Sequence, residues 1–218
     1  MSARMTYVAS SIVTVPTRRR TMTVEMAPIP HRQPITVQEF DVLPVDTSHR
    51  YEIENGFLLV NARPAPSHSR VIKRLLVQLD DQLPPGLEAF AELEAELSGR
   101  SPRRVPDVVV GPVEVDQQTR IRSEQIALAI EIASSGESAV RDYAIKAGEY
   151  AANGIAHYWV IDILDTESVG LTIYTLGESG GYQITPRTTG VVDITAPFPL
   201  KVDLGALAAR RGAPPQAQ

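Results

Sequence analysis

One segment decides the fold: Ile126-Ala127-Leu128-Ala129-Ile130-Glu131-Ile132-Ala133, which is apolar at every position except Glu131. An apolar run at both odd and even positions is typical of a strand that is covered on both faces. A carboxylate in such a strand is costly to bury unless it is paired, protonated or bound to a metal. Glu131 is therefore the first candidate for a functional residue.

The segments on either side of this strand have a similar character. Upstream, Val105 to Val110 forms an apolar strand that carries a single acid, Asp107, near its start. Downstream, the pattern predicts a helix from about Glu137 to Ala152 and then an apolar strand from Ile155 to Asp162. A strand–helix–strand passage favours parallel pairing of the two strands. The sequence thus predicts an α/β fold.

Four further elements follow from turn signals and periodicity. Asn55-Gly56 predicts a hairpin over Arg50 to Val60, since this dipeptide suits a two-residue turn. The spacing of apolar residues predicts a helix that is capped by Ser67 and runs to about Leu83. We also expect a half-exposed strand over Phe90 to Leu97, and a second hairpin made of Leu171 to Leu176 and Tyr182 to Thr185.

Bulk properties limit the classes of function. A chain of 218 residues is expected to form one domain, and the net charge of -5 argues against holding nucleic acid by bulk charge alone. The absence of cysteine excludes a disulfide framework, a thiolate zinc site and a cysteine nucleophile. With no apolar run of membrane-spanning length and no secretion signal, we expect a cytoplasmic protein. Residues 1–33 are polar and aperiodic, which predicts a flexible N-terminal arm.

Three residues form the main candidate site: Asp107, Glu131 and Lys146. If their two strands pair about 4.8 Å apart, both carboxylates project onto one face and suit Mg²⁺ or Mn²⁺. Lys146 lies beside the apolar stripe of its helix, so we expect it to serve chemistry rather than packing. Two simpler interpretations stay open: Asp107 caps the strand entrance, and Lys146 pairs with Asp142 at i,i+4. The predicted stripe consists of Val140, Tyr143, Ala144, Ala147 and Ala151.

A basic loop precedes Asp107 and carries Arg100, Arg103 and Arg104. We expect these residues to meet the phosphate backbone of a nucleic acid, which should make binding depend on salt. A solvated charged loop is the alternative interpretation.

Several of these motifs occur together in one known family. In order and spacing, this chain resembles the Uma-type putative restriction endonucleases of the PD-(D/E)xK phosphodiesterase superfamily, from about Thr36 to Tyr182. The resemblance is carried by Tyr51-Glu52, Asn55-Gly56, Pro64-Ala65-Pro66-Ser67-His68, Pro106-Asp107-Val108-Val109, Ile130-Glu131-Ile132-Ala133-Ser134, Asp142, Lys146, Tyr150, Gly154-Ile155 and Tyr158-Trp159-Val160-Ile161-Asp162.

The resemblance implies a restriction-endonuclease-like core over residues 34–205, with a central mixed β-sheet flanked by helices and a C-terminal tail at 206–218. It implies Mg²⁺ (or Mn²⁺) bound by Asp107 and Glu131, and it gives Lys146 the role of the catalytic lysine. It also points to Glu52 as a further acidic member, although Glu52 equally fits the surface of a hairpin. His68 is at a family-like position at the start of a helix, where it could equally be a capping or surface residue.

The function expected from these patterns is metal-dependent DNA endonuclease activity, in which a metal-activated water hydrolyses a phosphodiester bond. Two alternatives remain: a nucleic-acid-binding or regulatory module that keeps the fold without cleaving, and a hydrolase of RNA or another phosphoester. We expect a homodimer, because cutting both strands of a duplex needs two sites.

Overall fold

A computed structural model gives the structure of this protein. It describes residues 12–17, 20–25, 33–44, 49–62, 64–134, 141–165 and 168–209. None of the helices in these ranges is long and apolar enough to cross a membrane.

A mixed sheet forms the centre of the molecule, which confirms the predicted fold class. Its seven strands are β5 (Leu87–Ala91), β8 (Val108–Pro112), β10 (Leu128–Ala133), β11 (His157–Asp162), β12 (Gly170–Leu176), β13 (Tyr182–Ile184) and β14 (Thr188–Thr189). The strands are ordered β13-β12-β11-β10-β8-β5, and β14 pairs with β12. The central strand β10 pairs antiparallel with β8 and parallel with β11. The parallel pair is the one predicted from the strand–helix–strand passage.

Apolar side chains cover both faces of β10, as its sequence predicts, and all six of its residues are buried. Ile130 and Ile132 point to one face, where they pack with helix α2 (Pro66–Asp80) and the short helix α4 (Leu204–Ala208). Ala129 and Ala133 point to the other face, towards helix α3 (Ala147–Ala152). Because successive strand residues alternate in direction, Glu131 shares the α3 face.

The first hairpin is confirmed and forms a separate two-stranded sheet. Strand β3 (His49–Glu54) pairs with β4 (Phe57–Ala62), and the turn residues Asn55 and Gly56 have φ values of 52° and 82°. Two consecutive positive φ values are the geometry that Asn-Gly readily adopts. The second hairpin, β12 with β13, is also confirmed.

The remaining elements are short or lie outside the central sheet. They are β1 (Ile12–Thr17), β2 (Arg20–Glu25), α1 (Val37–Asp41), β6 (Ala95–Glu96), β7 (Arg103–Arg104), β9 (Ile121–Arg122), β15 (Val191–Ile194), β16 (Leu200–Asp203) and the 3-10 turns Val113–Gln117 and Ser123–Gln125. Strands β1 and β2 pair with each other within the predicted N-terminal arm. The domain boundaries expected from sequence stay predictions.

Two predictions of local structure were wrong. Helix α2 is not capped by Ser67: it begins at Pro66 after Ala65, without a side-chain cap, and ends at Asp80 rather than Leu83. Proline suits the first turn of a helix because the missing N–H has no partner there anyway. The predicted strand from Phe90 to Leu97 is broken at Glu92, whose φ is 50°.

The helix predicted from Glu137 to Ala152 is α-helical only in its last part. Residues 135–140, including Val140 of the predicted stripe, lie outside the described residues. Arg141–Lys146 is a π-helical turn that continues into α3. The stripe also differs from the prediction, because Ala144 is exposed. Wide π-helical turns often occur at functional sites, and this one carries Asp142 and Lys146.

Candidate active site

Asp107 lies just before β8, and both oxygens of its buried carboxylate have partners. Oδ1 accepts a hydrogen bond from Nη1 of Arg50 at 2.8 Å. Oδ2 accepts one from the backbone N–H of Ile132 at 2.8 Å and lies 3.1 Å from Nε2 of His68. Burial alone would raise the pKa of Asp107, but His68, Arg50 and Lys146 outweigh it and hold the pKa well below its ordinary value. Asp107 is therefore ionised and does more than cap a strand.

The position of Glu131 relative to Asp107 follows from the pairing of β8 with β10. Ala129 lies opposite Val109, and both side chains point to the α3 face. Continuing this register by two residues brings Glu131 opposite Asp107 on the same face. The expectation that both carboxylates project onto one face of paired strands thus agrees with the pairing of β8 with β10.

The carboxylate of Glu131 is buried and has two close partners. Its Oε1 accepts a hydrogen bond from the hydroxyl of Tyr150 at 2.9 Å and lies 2.7 Å from Nζ of Lys146. Burial raises the pKa of Glu131 to about 8; the ammonium of Lys146 opposes this shift, and the charges of Asp107 and other acids add to it. Glu131 is therefore a weaker acid than an ordinary glutamate in the metal-free protein.

Lys146 is buried among carboxylates. Its Nζ lies 2.7 Å from Glu131, 3.5 Å from Asp142 and 4.0 Å from Glu52. The pair with Asp142 that served as the simpler interpretation exists, but the contact with Glu131 is shorter. Burial alone would lower the pKa of Lys146, and the surrounding acids outweigh it, so the pKa lies above its ordinary value. The ammonium keeps its proton in this arrangement.

Glu52 belongs to the same cluster and is not a surface residue of the hairpin. It is buried on β3, where Oε1 accepts the backbone N–H of Val105 at 2.9 Å and Oε2 accepts from Asn61 at 2.7 Å. Burial would raise its pKa, but Lys146 and Arg104 lead the charges that lower it below the ordinary value. Glu52 links the hairpin to the strand ends that carry the other acids.

Comparison with known proteins agrees with this fold. The family model described as "Putative restriction endonuclease", Uma2, matches residues 37–207. The chain belongs to the Uma2 family. Among solved structures, a putative nuclease from Anabaena variabilis is similar to this Uma2 protein, with a TM-score of 0.58 and 20% identity over 81% of this chain and 100% of that chain. This likeness shows the fold. None of the curated proteins matches the chain.

The three arginines expected to meet phosphate are not equivalent in this Uma2 protein. The side chain of Arg104 has no exposed surface, and its guanidinium binds both carboxylate oxygens of Glu149, at 2.7 and 2.8 Å, and Glu54 at 3.2 Å. Arg103 is also buried and pairs with Asp41 and acids near β6. Both guanidinium groups already serve ion pairs inside the protein, so the phosphate contact expected for them does not fit this structure. Arg100 is exposed.

Sequence reasoning missed two members of the site, Arg50 and the hydroxyl of Tyr150. The alternation of β3 offered a signal for Arg50, because residues two apart on a strand share a face and Arg50 lies two positions before Glu52. Tyr150 was among the residues that carry the resemblance, but we expected it only to pack. Its ring is buried, and its hydroxyl donates to Glu131.

The donor set of this Uma2 site suits a small divalent ion that keeps several waters. Asp107 and Glu131 would offer carboxylate oxygens to such an ion, and Tyr150 and Lys146 contact Oε1 rather than Oε2 of Glu131. Within the described part of the chain, no three His, Asp or Glu side chains form a group that could hold a metal ion. Mg²⁺ is commonly held by one or two carboxylates with waters completing its shell, so a site of two acids would need waters or substrate oxygens for the other positions.

Proposed function

We propose that this Uma2 protein is a metal-dependent DNA endonuclease that hydrolyses phosphodiester bonds with Mg²⁺ or Mn²⁺. The observation that carries the proposal is the contact between Glu131 and Lys146 beside the start of β8, which Asp107 directly precedes. Three charged groups in a buried place need a function that repays their desolvation. Family membership supports a nuclease, and the acids support oxygen ligation of a divalent ion.

Each group of the chain has a separate task in this proposal. Asp107 and Glu131 would hold the divalent ion, which when bound supplies an activated water and offsets the charge of the phosphate. Lys146 keeps a proton on Nζ, so its ammonium steadies the charge that develops on the phosphate oxygens. Tyr150 fixes the direction of the Glu131 carboxylate through its hydrogen bond.

Glu52 has a supporting role, since its own oxygens are occupied by Val105 N–H and Asn61. Its charge lies 4.0 Å from Nζ of Lys146 and helps to keep the ammonium protonated. In this proposal Glu52 acts through Lys146 rather than on the substrate.

The homodimer expected for double-strand cleavage remains part of the proposal. Strand β13 lies at an edge of the central sheet, and Ile184 on this strand is 59% exposed. An exposed sheet edge with an apolar side chain is a surface that a second copy could cover. The cytoplasmic location stays a prediction.

The test is cleavage of supercoiled plasmid and of single-stranded DNA in Mg²⁺, Mn²⁺ or EDTA, with Glu131→Gln and with Glu114→Gln as a matched control. Glu114 is an exposed acid, so its change leaves the site intact. We expect wild type and Glu114→Gln to cut in either metal, and Glu131→Gln and EDTA samples to stay uncut.

Other outcomes assign the remaining functions. A single-stranded RNA in the same assay tests the other substrate class: cutting of RNA but not of DNA makes the protein a hydrolase of RNA. DNA binding without cutting in any metal identifies a non-cleaving module. Cutting by Glu131→Gln at the wild-type rate contradicts the proposed active site.

A further inference from the structure

Arg50 lies between the buried site and solvent. Its Nη1 is 2.8 Å from Oδ1 of Asp107, yet 22% of its side chain is exposed against 3% for Asp107. Arg50 also lines an open cavity of about 660 Å³, together with Glu92 and Arg120. The side chain of Arg50 can therefore move away from Asp107 into this cavity and towards solvent.

The two oxygens of Asp107 differ in how firmly their partners are held. Oδ2 is bonded to the backbone N–H of Ile132, which is fixed in β10, and to His68, which is buried on α2. Oδ1 is bonded to Arg50, a long and flexible side chain. These contacts keep the carboxylate in place even when Oδ1 changes its partner.

The guanidinium of Arg50 is only partly satisfied where it lies. Its Nε is buried and has no hydrogen-bond partner among the residues that the structure describes. A second carboxylate, that of Glu92, lies 3.6 Å from Nη1 and is 44% exposed at the edge of the cavity. A buried donor without a partner lowers the cost of moving the guanidinium, and the carboxylate of Glu92 offers it an alternative ion-pair partner.

We propose that Arg50 is an exchangeable counter-ion: it holds Oδ1 of Asp107 in the metal-free protein and is displaced towards Glu92 and the cavity when a divalent cation binds. The inference rests on the proposed metal site at Asp107 and Glu131. A guanidinium hydrogen-bonded to Oδ1 blocks close approach of a metal ion to that oxygen, and its positive charge repels the ion. Arg50 thus sets the metal affinity of the site.

The test compares Mn²⁺ binding by calorimetry, without nucleic acid, for wild type, Arg50→Gln and Arg120→Gln. Arg120 is the matched control because it lines the same cavity but pairs with Asp41 and Glu94 instead of Asp107. We expect Arg50→Gln to bind Mn²⁺ at least about tenfold more tightly than wild type, because a cation that competes for Asp107 has been removed. Arg120→Gln should bind as wild type does.

Thermal melting provides the second measurement. Arg50→Gln should melt below wild type without metal, because Asp107 loses its counter-ion, and level with wild type in saturating Mn²⁺, where that contact no longer exists. Arg120→Gln should show the same difference from wild type in both conditions. If Arg50→Gln does not fold without metal, Arg50→Lys decides: lysine keeps the charge but lacks the planar guanidinium that grips Oδ1, so its Mn²⁺ affinity should still exceed that of wild type, by less than for Arg50→Gln.

The outcomes separate this inference from the proposed function. Mn²⁺ affinity in Arg50→Gln that equals or falls below wild type overturns the exchange and leaves the metal site standing. A wild-type protein that binds no Mn²⁺, or an Asp107→Asn variant that binds it normally, overturns both.

Discussion

Replacement of Lys146 by alanine should destabilise the metal-free protein strongly. The helix that carries Lys146 was expected from sequence to pack without it, but its Nζ lies among Glu131, Asp142 and Glu52 in a buried place. Alanine would leave these carboxylates without their shared cation. The expected loss therefore comes from charge and not from helix packing.

The size of the effect follows from the burial of the cluster. Removing one partner of a buried ion pair costs about 3–5 kcal/mol, because the other charge is left uncompensated. For a domain of this length, each kcal/mol lowers the melting temperature by about 2–4 °C. The metal-free Lys146→Ala protein should thus melt about 6–20 °C below wild type.

Scanning calorimetry in EDTA at pH 8 measures this difference, with Lys146→Met and Lys73→Ala as comparisons. Lys146→Met keeps most of the side-chain volume, so it should lose nearly as much stability as Lys146→Ala if charge is the cause. Lys73 is exposed on α2, and its change should alter the melting temperature little. The double variant Lys146→Ala, Glu131→Gln should recover part of the loss, because one of the unpaired charges is then gone.

Acidic pH supplies a further check on the cause. The loss should shrink at pH 5, where a carboxyl that has lost its cation takes up a proton instead of remaining ionised. A Lys146→Ala protein that melts within about 1 °C of wild type at pH 8 refutes the reasoning, because a buried charge without a partner destabilises the fold by more than that. Equal losses at pH 5 and pH 8 would assign the effect to lost packing.

Three further predictions concern the neighbouring groups. Burial raises the pKa of Glu131 to about 8 from 4.5, so between these values the metal-free fold binds more protons than the unfolded chain does. The free energy of unfolding should therefore fall from about pH 5 to 8, by up to about 1.4 kcal/mol per pH unit. A Glu131→Gln protein that shows the same fall in calorimetry contradicts this. Tyr150→Phe removes the hydrogen bond that orients Glu131 and should weaken Mn²⁺ binding about 10–100-fold; titration calorimetry that gives wild-type affinity sinks the positioning role. Arg104→Met should lower the melting temperature through lost ion pairs, whereas Arg100→Gln should leave it unchanged, and the reverse order would restore Arg104 as a surface group.

The strands of the site were predictable because their signal is local. β10 and β11 are apolar runs between polar turns, and Asn55-Gly56 marks its hairpin without reference to the rest of the chain. The placement of Glu131 also followed from sequence, since a lone acid in a buried strand demands an explanation. What these signals share is that a few consecutive residues decide them.

The partners of the acids were not predictable in the same way. Arg50 meets Asp107 across 57 positions of sequence, and Arg104 meets Glu149 across 45. A basic loop before a strand looks the same whether its guanidinium groups face solvent or turn inward. The packing of α1, α3 and the β3–β4 hairpin against this loop decides which arginines are buried, and neither composition nor spacing reports it.

The charges of the cluster connect these observations. In the metal-free protein, Arg50 neutralises Asp107, and burial raises the pKa of Glu131, with the neighbouring acids adding to the shift and Lys146 opposing it. Binding of one divalent ion would bring two positive charges, would displace the guanidinium of Arg50 under the proposed exchange and would lower the pKa of Glu131 again. The exchange would therefore limit the change in total charge at the site. A buried cluster tolerates such an exchange better than the loss of a counter-ion without replacement, because an uncompensated buried charge is strongly destabilising.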